Sequence, residues 1–266
     1  MLRFALPRRF RPSAYLCAKA RRKTSGRVLM GPFVGMRYVE TAVGSQYIPK
    51  LLGIYEKELQ RSVEELSCAR WETIVNVGAG EGYYAIGLAL RCPTARVVAF
   101  EADPIGQDLL REMAKLNGVG NRLEVRGRCE LPDLATCCDR GAANLLMCDV
   151  EGYESVLVDP MQVDWLKSGH ILVELHDFIT PNIGDELRAR FATSHDITEL
   201  AAEPRAVSEF PFSDPYIRLL PRRYLAAAVS ERRAASMSWL VMRPYRTSTG
   251  KAQLQSVTPT SSQFTA

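Results

Sequence analysis

The chain has 266 residues, 47% hydrophobic and 24% charged, which suits one α/β domain with appendages. No apolar run approaches the ~18 residues of a membrane-spanning helix, so no membrane span is expected. The formal net charge of +4 hides an asymmetry: ten of the 34 Lys/Arg precede Glu40 with no acid among them, leaving 24 against all 30 Asp/Glu, a body of −6. An acidic body with a basic head excludes a general nucleic-acid-binding surface and favours a small-molecule partner.

In chain order, residues 1–27 read as a basic, disordered extension. Their Arg-rich, acid-free composition is also that of a mitochondrial presequence, or of a basic arm for anionic lipid or a partner. A secretory signal is excluded, because that needs an apolar core of about 7–15 residues. Seven cysteines (17, 68, 92, 129, 137, 138, 148) form no C-x-x-C pair and no zinc spacing. Such a scattered set suits structural thiols in a reducing compartment, so the cytoplasm is expected, with the mitochondrion as the alternative. Residues 28–70 form a helical cap segment, since Tyr47, Leu51, Leu52, Tyr55, Leu59, Val63 and Leu66 recur at helical spacing. The domain proper is expected over 71–246.

The most informative stretch follows. Residues 73–77 read as a buried strand, and Gly78-Ala79-Gly80-Glu81-Gly82 then turns sharply into a helix over 83–91. The free N–H groups of that helix face whatever lies over the turn. The next apolar run, 96–101, ends in Glu101, 23 positions after Gly78, where a carboxylate can accept hydrogen bonds from a ribose diol. A dinucleotide fingerprint asks for a third glycine at position 83, where this chain has Tyr83. The G-x-G-x-G pattern instead resembles the first motif of class I S-adenosylmethionine-dependent methyltransferases. That resemblance implies cofactor contacts from Gly78, Ala79, Gly80, Glu81, Gly82, Glu101 and Ala102.

Asp103-Pro104 starts a helix that Gly118 stops. Strands follow over 121–126, 144–150 and 170–175, with a helix from Thr180-Pro181 to about position 192. A further strand spans 195–201, and a last one 237–242. Apolar runs this continuous suit parallel strands covered on both faces. Residues 204–235 interrupt the final two strands, and their Phe210-Pro211-Phe212 and Pro215-Tyr216 suit either a substrate pocket or packing. Residues 247–266 form a Ser/Thr/Gln tail expected to be disordered. Removing residues 1–25 and 248–266 is accordingly expected to leave folding unchanged.

The second motif is Asp149-Val150-Glu151-Gly152-Tyr153-Glu154 at a strand end, where ligands collect in an open parallel sheet. With Glu174-Leu175-His176 it resembles the FkbM family of methyltransferases, over about residues 72–178 and Ser238-Trp239-Leu240-Val241. Glu81 stands where that family often has asparagine. The resemblance implies an α/β fold: a doubly wound, mostly parallel, seven-stranded Rossmann-like sheet with its last strand antiparallel, here with an N-terminal helical extension. It also implies S-adenosylmethionine as cofactor and O-methylation of a sugar-like or natural-product acceptor.

Asp149 is expected beside the cofactor loop as a binding residue. A hydroxyl acceptor needs help losing its proton. His176 is the expected base by position, with Glu151 as its catalytic partner, while His170 and His195 are structural. Asp177 is a further polar candidate at that strand end. Hard oxygen donors plus one imidazole also suit magnesium or manganese, although no complete ligand pattern is present. Two alternatives remain open: an NAD-dependent Rossmann oxidoreductase, and a non-catalytic nucleoside-binding module of the same fold. The sequence leaves the acceptor and the oligomeric state undetermined.

Overall fold

The continuous apolar runs become the buried strands of one sheet. A computed structural model of the protein describes residues 11–233 and 237–245. Its strands are β1 (Thr73–Val77), β2 (Arg96–Phe100), β3 (Leu123–Arg126), β4 (Asn144–Cys148), β5 (His170–Leu175), β6 (His195–Ala201) and β7 (Ser238–Pro244). They form a seven-stranded sheet of order β3-β2-β1-β4-β5-β7-β6. The first five pair in parallel, and β7 runs antiparallel to both β5 and β6. This is the doubly wound, Rossmann-like sheet expected. Its order reverses between β1 and β4, which opens a crevice at the carboxyl ends of those two strands.

The helices are α1 (Pro12–Thr24), α2 (Tyr47–Leu52), α3 (Gln60–Ser67), α4 (Tyr83–Arg91), α5 (Pro104–Asn117), α6 (Leu131–Ala135), α7 (Glu154–Leu157), α8 (Ile183–Phe191), α9 (Pro215–Leu219) and α10 (Arg222–Val229). Alternate strand residues feed two cores. Ile74, Val97 and Leu145 pack with Ile86, Leu110 and Met113 of α4 and α5. Val75, Val98 and Leu146 pack with Leu157, Leu187 and Phe191 of α7 and α8. Each fully buried Leu, Ile or Val contributes roughly 1.5–3 kcal/mol. The sequence signals for α5 hold: Asp103 accepts from the Ile105 N–H at 3.0 Å, Pro104 opens the helix, and Gly118 closes it at φ +70°.

Three differences matter for the site. β4 ends at Cys148, so Asp149 and Val150 belong to a loop rather than the strand. α8 starts at Ile183 instead of Thr180, because the Thr180 hydroxyl donates to the Gly152 carbonyl at 3.0 Å and stays in the preceding turn. Third, the basic head is not disordered from residue 12 onward. α1 buries Leu16 and Ala20 completely, and its Lys19 Nζ lies 2.5 Å from Asp214 Oδ2, with the Tyr15 hydroxyl donating to the same oxygen at 2.7 Å. The helix packs on α2 and α10. Residues 1–10 and the expected 247–266 tail lie outside the described residues.

This docking leads to the opposite expectation from a dispensable head. Leu16→Ala is expected to lower stability by about 2–5 kcal/mol in urea unfolding, as for other fully buried leucines. A midpoint unchanged from the parent would show that α1 does not dock in solution.

Candidate functional site

Gly78 follows β1 immediately, where β1 and β4 pair as Val77 with Cys148. It sits at φ +77°, and a Cβ there would meet the Asp149 carbonyl oxygen at 1.7 Å. Only glycine allows this approach. Gly80, also at positive φ, lines the crevice, and a Cβ there would find nothing nearer than Val43 O at 3.7 Å. Gly82 does a different job from the one expected. It precedes α4 at φ +100°, and a Cβ would strike Leu110 Cδ1 at 2.3 Å, so it lets α4 and α5 pack closely.

Glu101 closes the loop from below. Its Oε2 accepts the Gly80 N–H at 2.6 Å and its Oε1 accepts the Asp103 N–H at 2.8 Å. Gly106 makes room for it: a Cβ there would lie 2.8 Å from Glu101 Cγ. Gly78, Ala79, Gly80, Glu101, Ala102 and Asp149 all line one cavity of about 590 Å³.

Glu81, like Gly82, does not line the cavity. Its carboxylate is fully buried and points away from the cavity into the N-terminal segment. It accepts from Lys50 Nζ at 2.7 Å, from the Tyr38 hydroxyl at 2.5 Å and from the Val43 N–H at 3.0 Å. Burial alone would raise its pKa, but Lys50 and these donors outweigh that and hold it below the usual carboxylate range. Residues 43–45, Lys50 and Tyr55 in turn wall the cavity.

The second motif supplies the opposite side. Glu154 is fully buried, and its Oε1 accepts the Val150 and Gly152 N–H groups at 3.4 and 3.2 Å. The same oxygen lies 2.6 Å from His176 Nδ1, so Nδ1 carries the hydrogen and donates. Nε2 then faces Glu151 Oε2 at 3.4 Å and Asp149 Oδ1 at 3.7 Å. His176 itself is fully buried. Burial works against charging it, yet the Glu154 hydrogen bond and the surrounding carboxylates raise its pKa. Burial likewise raises Asp149, with His176 and Glu174 opposing.

Glu174 is pushed up to about 11 by burial and by the charges of Asp149 and Glu56. Asp177 turns out of the cleft, where its Oδ1 accepts the Gly184 N–H at 3.2 Å. His195 and His170 are spent on packing. His195 Nε2 pairs with Gly169 O at 2.9 Å, and burial lowers His170 to about 4 beside Trp71.

A charged network at the end of the cavity lined by Glu174, Glu231 and Arg233 was not visible in the sequence. Arg233 reaches Glu174 and Glu56 at 2.7 Å each and Glu231 at 2.9 Å, while Arg205 bonds Glu231 at 2.6 Å and also Glu58. The Tyr84 hydroxyl donates to Glu56, whose pKa burial lifts to about 7 against the pull of Arg233. Both arginines come from the segment between β6 and β7, so that insertion does reach the cavity. Its aromatic Phe210 is spent on packing.

No protein-family model matches the chain, and no curated protein does. Among solved structures the chain is similar to a putative O-methyltransferase from Klebsiella pneumoniae. The identity is 16% over 72% of this chain and 81% of that one, at TM-score 0.45. An O-methyltransferase from Bacillus cereus in complex with SAH is 14% identical over 72% and 82%, at TM-score 0.44. The C-terminal domain of precorrin-6Y C5,15-methyltransferase from Rhodobacter capsulatus is 14% identical over 70% and 87%, at TM-score 0.48. At such scores the fold assignment rests on the strand order itself.

Proposed function

We propose that this chain binds S-adenosylmethionine and transfers its methyl group to an oxygen of a small acceptor. One observation carries the reading: the G-x-G-x-G turn, Glu101 and Asp149 open into a single cavity at the point where the strand order reverses. In this reading the nucleoside lies over Gly78–Gly80 with Glu101 on its ribose hydroxyls. A carboxylate oxygen that already accepts one N–H has a second lone pair, so the bonds to Gly80 and Asp103 orient Glu101 without saturating it. Tyr83 argues against a pyrophosphate-bridged dinucleotide, because its buried ring occupies the place of the third glycine.

A sulfonium methyl is already activated, so the chain's work is to align the two reactants and exclude water. The acceptor's oxygen attacks the methyl carbon, the C–S bond breaks with its electron pair going to sulfur, and the hydroxyl proton leaves. Glu151, 73% exposed at the cavity mouth, and His176 behind it are the groups placed to receive that proton. The FkbM resemblance favours an oxygen acceptor of sugar-like or natural-product type. No described helix is long and apolar enough to cross a membrane. The seven free cysteines support a reducing compartment such as the cytoplasm.

Calorimetry tests the cofactor. S-adenosylmethionine is expected to bind and NAD is not, and Glu101→Ala should weaken binding by roughly 1.5–3 kcal/mol through loss of charge-assisted hydrogen bonds. Undiminished affinity in that variant removes the ribose assignment, and NAD binding in preference would overturn the cofactor. Formation of S-adenosylhomocysteine with hydroxylated acceptors separates an enzyme from a binding module.

A further inference from the structure

We propose that Asp149, Glu151 and His176 form a divalent-cation site of the Mn²⁺ type at the mouth of the cavity. One donor atom from each lies within 4.8 Å of the other two. The two edges that meet at His176 Nε2 are 3.4 Å to Glu151 and 3.7 Å to Asp149. An octahedron or tetrahedron built on metal–ligand bonds of ~2.1 Å has edges of roughly 3.0–3.4 Å. The two edges at His176 therefore match such a polyhedron to within a few tenths of an ångström, and the third, between Asp149 and Glu151, is no longer than 4.8 Å.

A second observation points at the same gap. His176 is fully buried and its Nε2 has no hydrogen-bond partner, nor has the Asp149 Oδ1 opposite it. Buried polar atoms are rarely left this way. The distances to the carboxylates exceed those of a charge-assisted hydrogen bond, about 2.7–2.9 Å, so the nitrogen is not closing on either oxygen. On its far side, Nδ1–H is held by Glu154, which two backbone N–H groups anchor. A carboxylate fixing one imidazole nitrogen so that the other presents its lone pair is the arrangement that orients metal-ligating histidines.

The backbone contributes as well. Glu151 adopts φ +52° and Gly152 φ +100°, and this turn brings the Glu151 carboxylate back over His176. The field is negative: Asp149, Glu151 and Glu154 face His176. The arginine beyond them, Arg233, is engaged by Glu56, Glu174 and Glu231. Two carboxylates and one imidazole are too few and too nitrogen-rich for Ca²⁺, which takes 6–8 oxygens, and suit Mn²⁺ with open positions toward the cavity. The site stands on this loop geometry; it shares Asp149, Glu151 and His176 with the proposed methyl-transfer site, but binding of the ion itself is measured without cofactor or acceptor.

The test is titration of Mn²⁺ into the full chain without cofactor or acceptor, following loss of the free-ion electron paramagnetic resonance signal. One equivalent should bind saturably. Asp149→Asn should weaken binding at least ten-fold. Glu154→Gln, a positioning change that keeps the side chain's size, should weaken it by about 10–100-fold. Glu151→Gln, at an exposed side chain, reads the same loss should Asp149→Asn fail to fold. Glu101→Ala should bind Mn²⁺ like the parent. No saturable binding at millimolar Mn²⁺, or equal affinity in the Asp149 and Glu151 variants, overturns the site. Loss of S-adenosylmethionine binding with Mn²⁺ binding intact would instead count against the proposed function alone.

Discussion

Glu81→Ala is expected to cost about 3–5 kcal/mol of stability, the usual consequence of removing one partner of a buried ion pair. Glu81 is fully buried and the Lys50 side chain is 6% exposed, so the substitution strands an ammonium out of water. The Tyr38 hydroxyl and the Val43 N–H lose their acceptor at the same time. Because Glu81 sits inside the glycine loop, the same change frees residues 38–50 from the roof of the cavity. The clamp also has a pH signature. Its folded pKa is held below the unfolded value near 4.5, so its stabilisation is present above that value and is lost as pH falls through the folded pKa. Urea unfolding from pH 3 to 7 should show this acid loss in the parent and not in Glu81→Gln. A cost under about 1 kcal/mol for the alanine variant would mean the pair is solvated, as exposed pairs are.

The legibility of Glu81 shows where sequence reading stops. Gly78, Gly80 and Glu101 were readable because strand, turn and acid follow one another locally, and the backbone geometry they imply needs no distant partner. The direction of the Glu81 side chain is set by Lys50, 31 positions earlier, and by Tyr38, 43 earlier. No local pattern encodes that. The same holds for α1, whose sequence shows few apolar positions among basic ones. What docks it is Leu16 in a pocket and Asp214, 195 residues after Lys19.

Strand ends were legible to within a residue or two, since a run such as Asn144–Cys148 is apolar for as long as it is covered on both faces. That placed Asp149 and His176 on one rim, and the structure brings them together. The sequence did not show that Glu154, the last acid of the second motif, is buried against the imidazole. Nor did it separate Asp177 from the cluster, because one residue past a strand end the alternation of faces no longer applies. The Arg205–Glu231–Arg233 network was invisible for a related reason: two arginines among 34 basic residues carry no local mark of burial.

Gly78→Ala is expected to be the most damaging single methyl in the glycine loop. Its Cβ would lie 1.7 Å from the Asp149 carbonyl oxygen and 2.8 Å from the carbonyl carbon. Both atoms are backbone, in a chain held by the Asp149 N–H bond to Val77 O at 3.0 Å, so no side chain can swing aside. Relief requires β1 and β4 to separate by more than an ångström at their carboxyl ends, which moves Asp149 away from His176 and opens the turn over which the cofactor would lie. The left-handed backbone adds about 1–2 kcal/mol for a residue with a Cβ, and the overpacking a further 1–3. The expected loss is therefore roughly 2–5 kcal/mol, together with loss of S-adenosylmethionine binding.

Gly80→Ala carries only the conformational cost, because its Cβ would meet Val43 O no closer than 3.7 Å, an ordinary contact. Gly82→Ala falls between them, since the atom it strikes first, Leu110 Cδ1 at 2.3 Å, belongs to a side chain that can shift. Urea unfolding of the three variants should rank Gly78 above Gly82 above Gly80 in cost. A Gly80 variant as unstable as the Gly78 variant would show that the β1–β4 junction does not have the close approach described here.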